Sequence, residues 1–405
     1  VSARILIVGA SHAGVQLAAA LRDGGHDGPI TVVGAEPHLP YHRPPLSKAY
    51  LDGAATVASL ALRPASFYEA KGIELLLGTR IEKIDAFAGV ALTEDGAELH
   101  FDRLALATGS RVRRLAVPGA DLAGVVYLRD LEDAEQLKQR LPGVRRAVVV
   151  GGGFIGLEAA AVLAQRGVEV SVVEAGPRLM GRATTPTLSG WFAELHQRRG
   201  VSVHLGAGVV ALRGESAVDS VVLDDGAVLP ADLVVVGIGV EPRVELAEQL
   251  GLAVDGGIVV DERARTSDPE IVAVGDATVM PHPLDRTSGV RLESVQNATD
   301  QAAVGAATLL GTERLHQAVP WFWSDQFDVK LQMAGAPRGH DQVVLRGSLE
   351  GDSFTLLLYR QGQLVGCECV NAAADFVAVR RALAAGVTLD PDLARDPDVR
   401  LKTLL

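Results

Sequence analysis

Two glycine-rich runs are the parts of this chain best suited to chemistry. Gly9-Ala10-Ser11-His12-Ala13-Gly14 follows the apolar run Ile5-Leu6-Ile7-Val8, and Gly151-Gly152-Gly153-Phe154-Ile155-Gly156 follows Ala147-Val148-Val149-Val150. Each run opens an alanine-rich stretch. A glycine turn between a buried strand and a helix gathers free N–H groups and the helix's partial positive charge at one point, which suits a dinucleotide pyrophosphate. The first glycine makes the turn and the last lets the helix approach the sheet. The second run is an intact G-x-G-x-x-G. The first has Ser11 at the middle position, where glycine would let the phosphate come close; serine is small enough to shift the phosphate only slightly.

Glu36 and Glu174 each follow the next strand and are placed to accept from ribose hydroxyls. An acid at Glu174 repels a 2′-phosphate, so NADH is predicted over NADPH, with Arg178 as the feature that argues the other way. The alternative for either run is a plain structural turn. Two copies, each between strand and helix and each followed by an acid, argue for two dinucleotides. Two dinucleotides on one chain imply electrons passing from a nicotinamide to a flavin.

The surrounding elements fit. Strands are expected at Ile30–Val33, Ile73–Leu77, Val90–Leu92, Leu104–Ala107, Val170–Val173, Leu233–Val236 and Ile271–Val274, many of them continuously apolar as strands buried on both faces are. Helices are expected over Val15–Leu21, Phe154–Gln165 and Asn297–Leu310. Beyond Pro320 the pattern changes to alternating strands such as Gln342–Arg346 and Phe354–Tyr359, then a helix over Ala373–Ala385. The expected architecture is α/β, with two Rossmann-like dinucleotide-binding domains plus a C-terminal α+β domain. The boundaries read as 1–110 and 236–316 for the FAD-binding domain, 111–235 for the NADH-binding domain and 317–405 for the last.

The chain has 405 residues, 44 of them glycine, and a formal net charge of −12, which argues against a nucleic-acid binder acting through a basic face. Its two cysteines, Cys367 and Cys369, exclude a disulfide scaffold and read as alternating positions on a strand. No membrane span, secretory signal or metal site is expected; Pro40 separates His38 from His42, so they are not read as a metal pair. The chain reads as cytoplasmic.

Several further motifs, in order along essentially the whole chain, carry a resemblance. They are Arg43-Pro44-Pro45-Leu46-Ser47-Lys48, Ala107-Thr108-Gly109, Glu158 after the second loop, Gly275-Asp276, Glu293-Ser294-Val295-Gln296-Asn297 and Trp321-Phe322-Trp323-Ser324-Asp325-Gln326. The sequence resembles the FAD-dependent ferredoxin reductases of bacterial oxygenase systems, the putidaredoxin-reductase-like group. That resemblance implies FAD contacts from Gly9, Ser11, His12, Ala13, Gly14, Glu36, Arg43, Pro45, Lys48, Arg80, Ile81, Ala107, Thr108, Gly109, Arg129, Gly275, Asp276, Glu293, Ser294, Val295 and Trp321. It implies NADH contacts from Gly151, Gly153, Phe154, Ile155, Gly156, Glu158, Glu174, Arg182 and Gly239. It also implies catalytic roles for Lys48 near flavin N5, for Glu158 facing the nicotinamide and paired with Lys48, and for Trp321 covering the flavin pocket.

Each residue has a plainer reading. Lys48 reads as part of a solvated turn, Asp276 as a helix cap, Glu158 as an acid in the first turn of its helix, and Trp321 as a core residue. No cysteine precedes residue 367, so thiol chemistry at the flavin is excluded.

The reaction so implied is hydride transfer from NADH to FAD, then single electrons to a 2Fe-2S ferredoxin feeding a haem-thiolate monooxygenase or a ring-hydroxylating dioxygenase. The alternatives are a rubredoxin reductase and an apoptosis-inducing-factor-like NADH-sensing flavoprotein. An acidic reductase needs a local basic patch to dock an acidic ferredoxin. Arg111, Arg113 and Arg114 are candidates, with Arg63, Arg286 and Arg291. A monomer is expected, with weak dimerisation left open.

Overall fold

The computed structural model describes residues 2–284, 289–336 and 338–405. It divides into two compact units, one of Val1–His42, Ala58–Arg111 and Glu241–Pro320, the other of Arg43–Val57, Val112–Val240 and Trp321–Leu405. Among the described residues no helix is long and apolar enough to cross a membrane.

The first unit is built on a parallel sheet. Its strands lie in the order Ile271–Ala273, Arg103–Leu106, Ile5–Val8, Ile30–Gly34, Ile73–Leu77. Side chains alternate across it. Ile5 and Ile7 join a core with Leu17 and Leu21 of the helix His12–Asp23 and Ala302 of the helix Val295–Leu309. Leu6 and Val8 join a second core with Ala247, Ile258 and Met280 on the other side. The unbroken apolar run is thus needed to cover both faces. The strand order reverses between Ile5–Val8 and Arg103–Leu106, and in such sheets a ligand sits at the carboxyl ends beside that point. Gly9, Gly109 and Gly275 each follow a strand end there.

Gly9 has φ +122°, and a Cβ on it would lie 2.0 Å from the Ala107 carbonyl oxygen. A Cβ on Gly14 would lie 1.9 Å from the Gly9 carbonyl oxygen. The turn is therefore closed by backbone on backbone, with no room for a methyl group. The helix begins at His12, three residues earlier than its apolar pattern suggests, because Ser11 takes the extended N-cap conformation.

The second unit holds a matching parallel sheet, in the order Ser202–Leu205, Glu169–Glu174, Arg146–Val150, Leu233–Val236, Val125–Tyr127. The second loop's helix, Phe154–Gln165, is apolar nearly all round and buried. The same unit contains an antiparallel sheet ordered Trp321–Gln326, Val329–Gly335, Gln363–Val370, Phe354–Arg360, Gln342–Gly347, packed against the helix Ala373–Ala385. Cys367 and Cys369 are buried on its Gln363–Val370 strand.

One helix, Pro186–Arg198, ties the two sheets of this unit together. At its start, Thr185 donates from its backbone N–H and from Oγ1 to Glu368, at 2.7 and 2.6 Å. In its middle, Trp191 Nε1 donates to the Leu349 carbonyl at 3.0 Å. At its end, Arg199 pairs with Asp328 at the tip of the Trp321–Gly335 hairpin. Burial pushes the Glu368 carboxyl above its ordinary range, against the Thr185 donors and the more distant His340 and Arg178.

Two expectations follow. Gly14→Ala should lower stability by about 1–3 kcal/mol through overpacking, read as a fall in the thermal midpoint; an unchanged midpoint contradicts the closed turn. Glu368 has a raised pKa in the folded state, so its contribution is favourable at low pH and is lost as pH rises through that raised value. Glu368→Gln should therefore gain in thermal midpoint relative to the parent as pH rises above the ordinary carboxylate range, by about 2–4 °C for each kcal/mol relieved. A gap that does not change with pH contradicts it.

Candidate active site

The two glycine loops make matching cradles. Ser11 and Gly153 are the N-caps of their helices. Neither residue caps its helix with a side chain, and neither helix has an acid in its first turn. By contrast Asp130, Thr185, Ser294 and Asp390 cap their helices with side chains. The first N–H groups of a helix have no partner within it, so these two ends keep donors for an anion. A Cβ on Gly153 would meet nothing within 4 Å, so the space a phosphate needs is open. Gly153 has φ −82° and Ser11 φ −125°, both ordinary for any residue. Serine at position 11 therefore costs no backbone strain. The residues present fit dinucleotide phosphates at both loops.

Other residues of the first unit gather along the same strand ends. Glu36 follows Ile30–Gly34 and accepts from the Tyr41 hydroxyl. His12 Nε2 lies 3.3 Å from His42 Nδ1. Ala13 is buried in the first loop's helix. Ala107 donates to the Val8 carbonyl, and Thr108 Oγ1 donates to the Arg243 carbonyl at 2.7 Å. The Gly275 N–H donates to Gln301 Oε1 at 2.7 Å, with Asp276 next to it, half-buried. Glu293 pairs with Arg291 at 2.8 Å, and Ser294 caps the helix that starts at Val295. Ile81 is buried, while Arg80 is exposed opposite Glu94.

In the second unit Glu174 accepts from the Gly152 N–H at 2.7 Å and from the Gly176 N–H at 2.6 Å. Its carboxylate is fixed at the end of its strand, beside the loop. Arg178 is turned into the protein. It donates to the Thr184 carbonyl at 2.6 Å, to Ser189 Oγ at 2.9 Å and to the Gly181 carbonyl. The cation that could have received a 2′-phosphate is thus committed to three protein acceptors. The Arg182 guanidinium lies beside Gly239, where a Cβ would be 3.2 Å from it. Arg43 donates to the Arg129 carbonyl at 2.9 Å. Phe154 packs on Phe322 with ring centroids 4.7 Å apart, and Ile155 is exposed.

Among the expected site residues of this unit, Glu158 stands at the centre of a hydrogen-bonded group. Its helix starts at Phe154, so Glu158 lies past the first turn rather than in it, and it is 3% exposed. The plainer reading of Glu158 as an acid in the first turn of its helix is corrected: it lies one turn in and is a buried carboxylate. Oε2 accepts from Lys48 Nζ and from Ser47 Oγ, both at 2.6 Å, and Oε1 accepts from Ser324 Oγ at 2.7 Å. Pro44 and Pro45 open a short 3-10 turn whose stiffness aims Ser47 and Lys48, and Lys48 Nζ also donates to the Pro44 carbonyl at 3.3 Å. A buried carboxylate is tolerated when its oxygens are met by donors, and here each oxygen has at least one.

Lys48 and Glu158 are therefore brought together. Trp321 is on the opposite face of its strand from Ser324. Its ring sits with Trp323 at 5.5 Å and Phe376 at 5.9 Å, under the Arg380 guanidinium at 5.6 Å. Ser47 and Ser324 were given no role by sequence reasoning. Strand alternation within Trp321–Gln326 would have set Ser324 apart from the tryptophans, but not shown what it meets.

The residues expected to form a basic cluster have the following partners. Arg111 pairs with Glu241 and Glu245, Arg113 donates to the Val240 carbonyl, and Arg114 lies over Tyr127. Arg63 lies over Phe67, Arg291 pairs with Glu293, and Arg286 lies outside the described residues.

Comparison with known proteins now decides the family. The pyridine nucleotide-disulphide oxidoreductase family matches residues 3–302, and the reductase C-terminal family matches residues 321–405. The chain belongs to the pyridine nucleotide-disulphide oxidoreductases. Among these oxidoreductases it is similar to rhodocoxin reductase of Rhodococcus erythropolis, 46% identical over 98% of this chain and 93% of that one. It is similar also to the crystal structure of the ferredoxin reductase for the CYP199A2 system from Rhodopseudomonas palustris, with TM-score 0.96, 45% identity and 99% of each chain covered. The covalent putidaredoxin reductase–putidaredoxin complex matches with TM-score 0.96 at 40% identity, over 99% of this chain and 98% of that one. Within the oxidoreductase family, the chain's lack of any cysteine before residue 367 sets it apart from members that work through a thiol pair.

Proposed function

We propose that this oxidoreductase is an FAD-containing, NADH-dependent ferredoxin reductase that acts in the cytoplasm and delivers electrons singly to a 2Fe-2S ferredoxin of a bacterial oxygenase system. The observation that carries the reading is the pairing of half-buried Lys48 with buried Glu158, which is borne on the helix that opens at the second glycine loop. The similarity over nearly the whole length to rhodocoxin and ferredoxin reductases supports it. The FAD-binding segments are 1–110 and 236–316, the NADH-binding segment is 111–235, and the rest is the C-terminal domain.

When bound, FAD supplies acceptance of a hydride and release of its two electrons one at a time. The chain's own part is binding, orientation and charge. The N–H groups from Ser11 to Gly14 take the FAD pyrophosphate, and Glu36 takes its ribose. Gly153, Phe154, Ile155 and Gly156 do the same for NADH, with Glu174 at the adenosine ribose. The fixed Glu174 carboxylate repels a 2′-phosphate, and the committed Arg178 offers it no counter-charge. Lys48 brings a positive charge to a site that gains electrons, and Glu158 holds that ammonium in one place. No acid–base pair is required, because positioning of the two reactants does most of the work.

The purified protein should be yellow and should bleach with NADH about tenfold faster than with NADPH, a barrier difference of about 1.4 kcal/mol. It should then reduce a 2Fe-2S ferredoxin over repeated turnovers, faster than a rubredoxin. Lys48→Met should keep the colour and slow bleaching by NADH roughly 10²-fold, the usual effect of removing one charge-stabilising group. A colourless protein, or one bleached by NADPH alone, overturns the reading.

A further inference from the structure

The strand Trp321–Gln326 carries a polar face that the reading above does not use. Ser324 and Gln326 point away from the tryptophans and are fully buried, as is His196 near the end of the helix Pro186–Arg198. Gln326 Nε2 lies 3.2 Å from Ser324 Oγ, and Gln326 Oε1 lies 2.9 Å from His196 Nε2. Together with the bond from Ser324 to Glu158 these contacts form one unbroken chain.

Chemistry fixes its direction from the Glu158 end. An ionised carboxylate only accepts, so Ser324 must spend its one proton on Glu158 Oε1. Ser324 Oγ then receives a proton from the amide nitrogen of Gln326. The amide oxygen therefore faces His196, which must donate from Nε2. Every donor in the series points toward Glu158, and such aligned bonds polarise and strengthen one another. The far end is anchored as well. His196 stacks edge-on with Phe327, whose ring lies under Arg199, and Arg199 pairs with Asp328. Phe327 has φ +57°, a conformation that side-chain-bearing residues rarely take and that holds only where surroundings impose it. The hairpin tip is gripped, and Gln326 next to it has one orientation.

We propose that Ser324 and Gln326 are positioning residues for hydride transfer: they fix Glu158 by Oε1, so that Oε2 presents a single geometry to Ser47 and Lys48. The proposal rests on the site being the one that oxidises NADH. Without Ser324 Oγ, Oε1 loses a donor in a buried place, and the carboxylate turns about its own torsions to find another. Lys48 turns with it. NADH would still bind at its loop, but the charge that favours transfer would no longer be held in place. The effect therefore falls on the limiting rate and not on NADH affinity.

Stopped-flow bleaching of the holoenzyme by varied NADH tests this with Ser324→Ala, Ser324→Thr, Gln326→Leu and the double variant Ser324→Ala/Gln326→Leu. Bleaching by dithionite and the visible spectrum report on the flavin independently of NADH. Expected for Ser324→Ala are an unchanged spectrum, unchanged bleaching by dithionite and a limiting rate about tenfold lower, the effect of one lost hydrogen bond. The half-saturating NADH concentration should move by less than about threefold. Ser324→Thr keeps the hydroxyl and should recover most of the rate. Because both side chains act through one chain of bonds, the double variant should be no slower than Ser324→Ala.

An unchanged limiting rate in Ser324→Ala, a Thr variant as slow as the Ala variant, or a double variant showing the product of the two single losses overturns the proposal. Should Ser324→Ala shed its flavin, Gln326→Leu decides alone: a slowed limiting rate with unchanged dithionite bleaching supports it, and an unchanged rate overturns it. If the parent protein itself is not bleached by NADH, it is the functional reading that fails.

Discussion

A carboxylate buried to 3% exposure must be met on both oxygens, and Glu158 is met by three groups from two distant parts of the chain. That constraint organises the second unit. The proline-stiffened segment Arg43–Lys48 has to lie against the second loop's helix to bring Ser47 and Lys48. The C-terminal sheet has to lie against it to bring Ser324. Leaving out Lys48 would strand the buried Glu158 charge, at a cost of about 3–5 kcal/mol, and leaving out Ser324 would take the donor from its Oε1. The helix Pro186–Arg198 makes the arrangement firm by fastening to the C-terminal sheet at its start, middle and end. Contacts that look like ordinary domain packing are what allows the Glu158 carboxylate to stay charged where it is buried.

Much of this was legible in the sequence, and the pattern of successes is physical. The glycine loops could be read because they are local: strand, turn and helix occupy consecutive residues, and the crowding at Gly9 and Gly14 demands glycine by backbone contact alone. The buried strands could be read because a sheet covered on both faces needs apolar residues at every position. The strand Ile73–Leu77 and the helices Phe154–Gln165 and Ala373–Ala385 fall at the bounds their patterns suggest. Helix starts were less clear. His12 and Val295 open their helices ahead of the first strongly periodic residues, because the caps Ser11 and Ser294 set those starts.

What could not be read depends on contacts across long stretches of chain. Ser324 meets Glu158 across 166 positions and Glu368 meets Thr185 across 183, and no local pattern marks either pair. Arg178 is a further case. Its place next to Glu174 suggested a phosphate ligand, but its direction depends on the carbonyls of Gly181 and Thr184 turning back toward it. Trp321 is the converse. Its motif stood out in the sequence, yet the ring is turned away from Ser324, into an aromatic group with Trp323, Phe376 and Arg380. A motif names residues; the pleat of the strand decides which of them share a side.

The distance along the chain between Glu158 and Ser324 has a consequence for how the protein is made. A ribosome delivers the second loop and its helix long before it delivers the strand Trp321–Gln326. The parallel sheet completed by Leu233–Val236 has all its strands by then, but its central helix still carries a carboxylate short of one partner. Domains fold as they emerge, amino-terminal parts first. Here the earlier part acquires its shape before its charged centre is finished. The last fifth of the chain therefore completes the charged centre: until the strand Trp321–Gln326 is delivered, Glu158 Oε1 lacks its Ser324 donor.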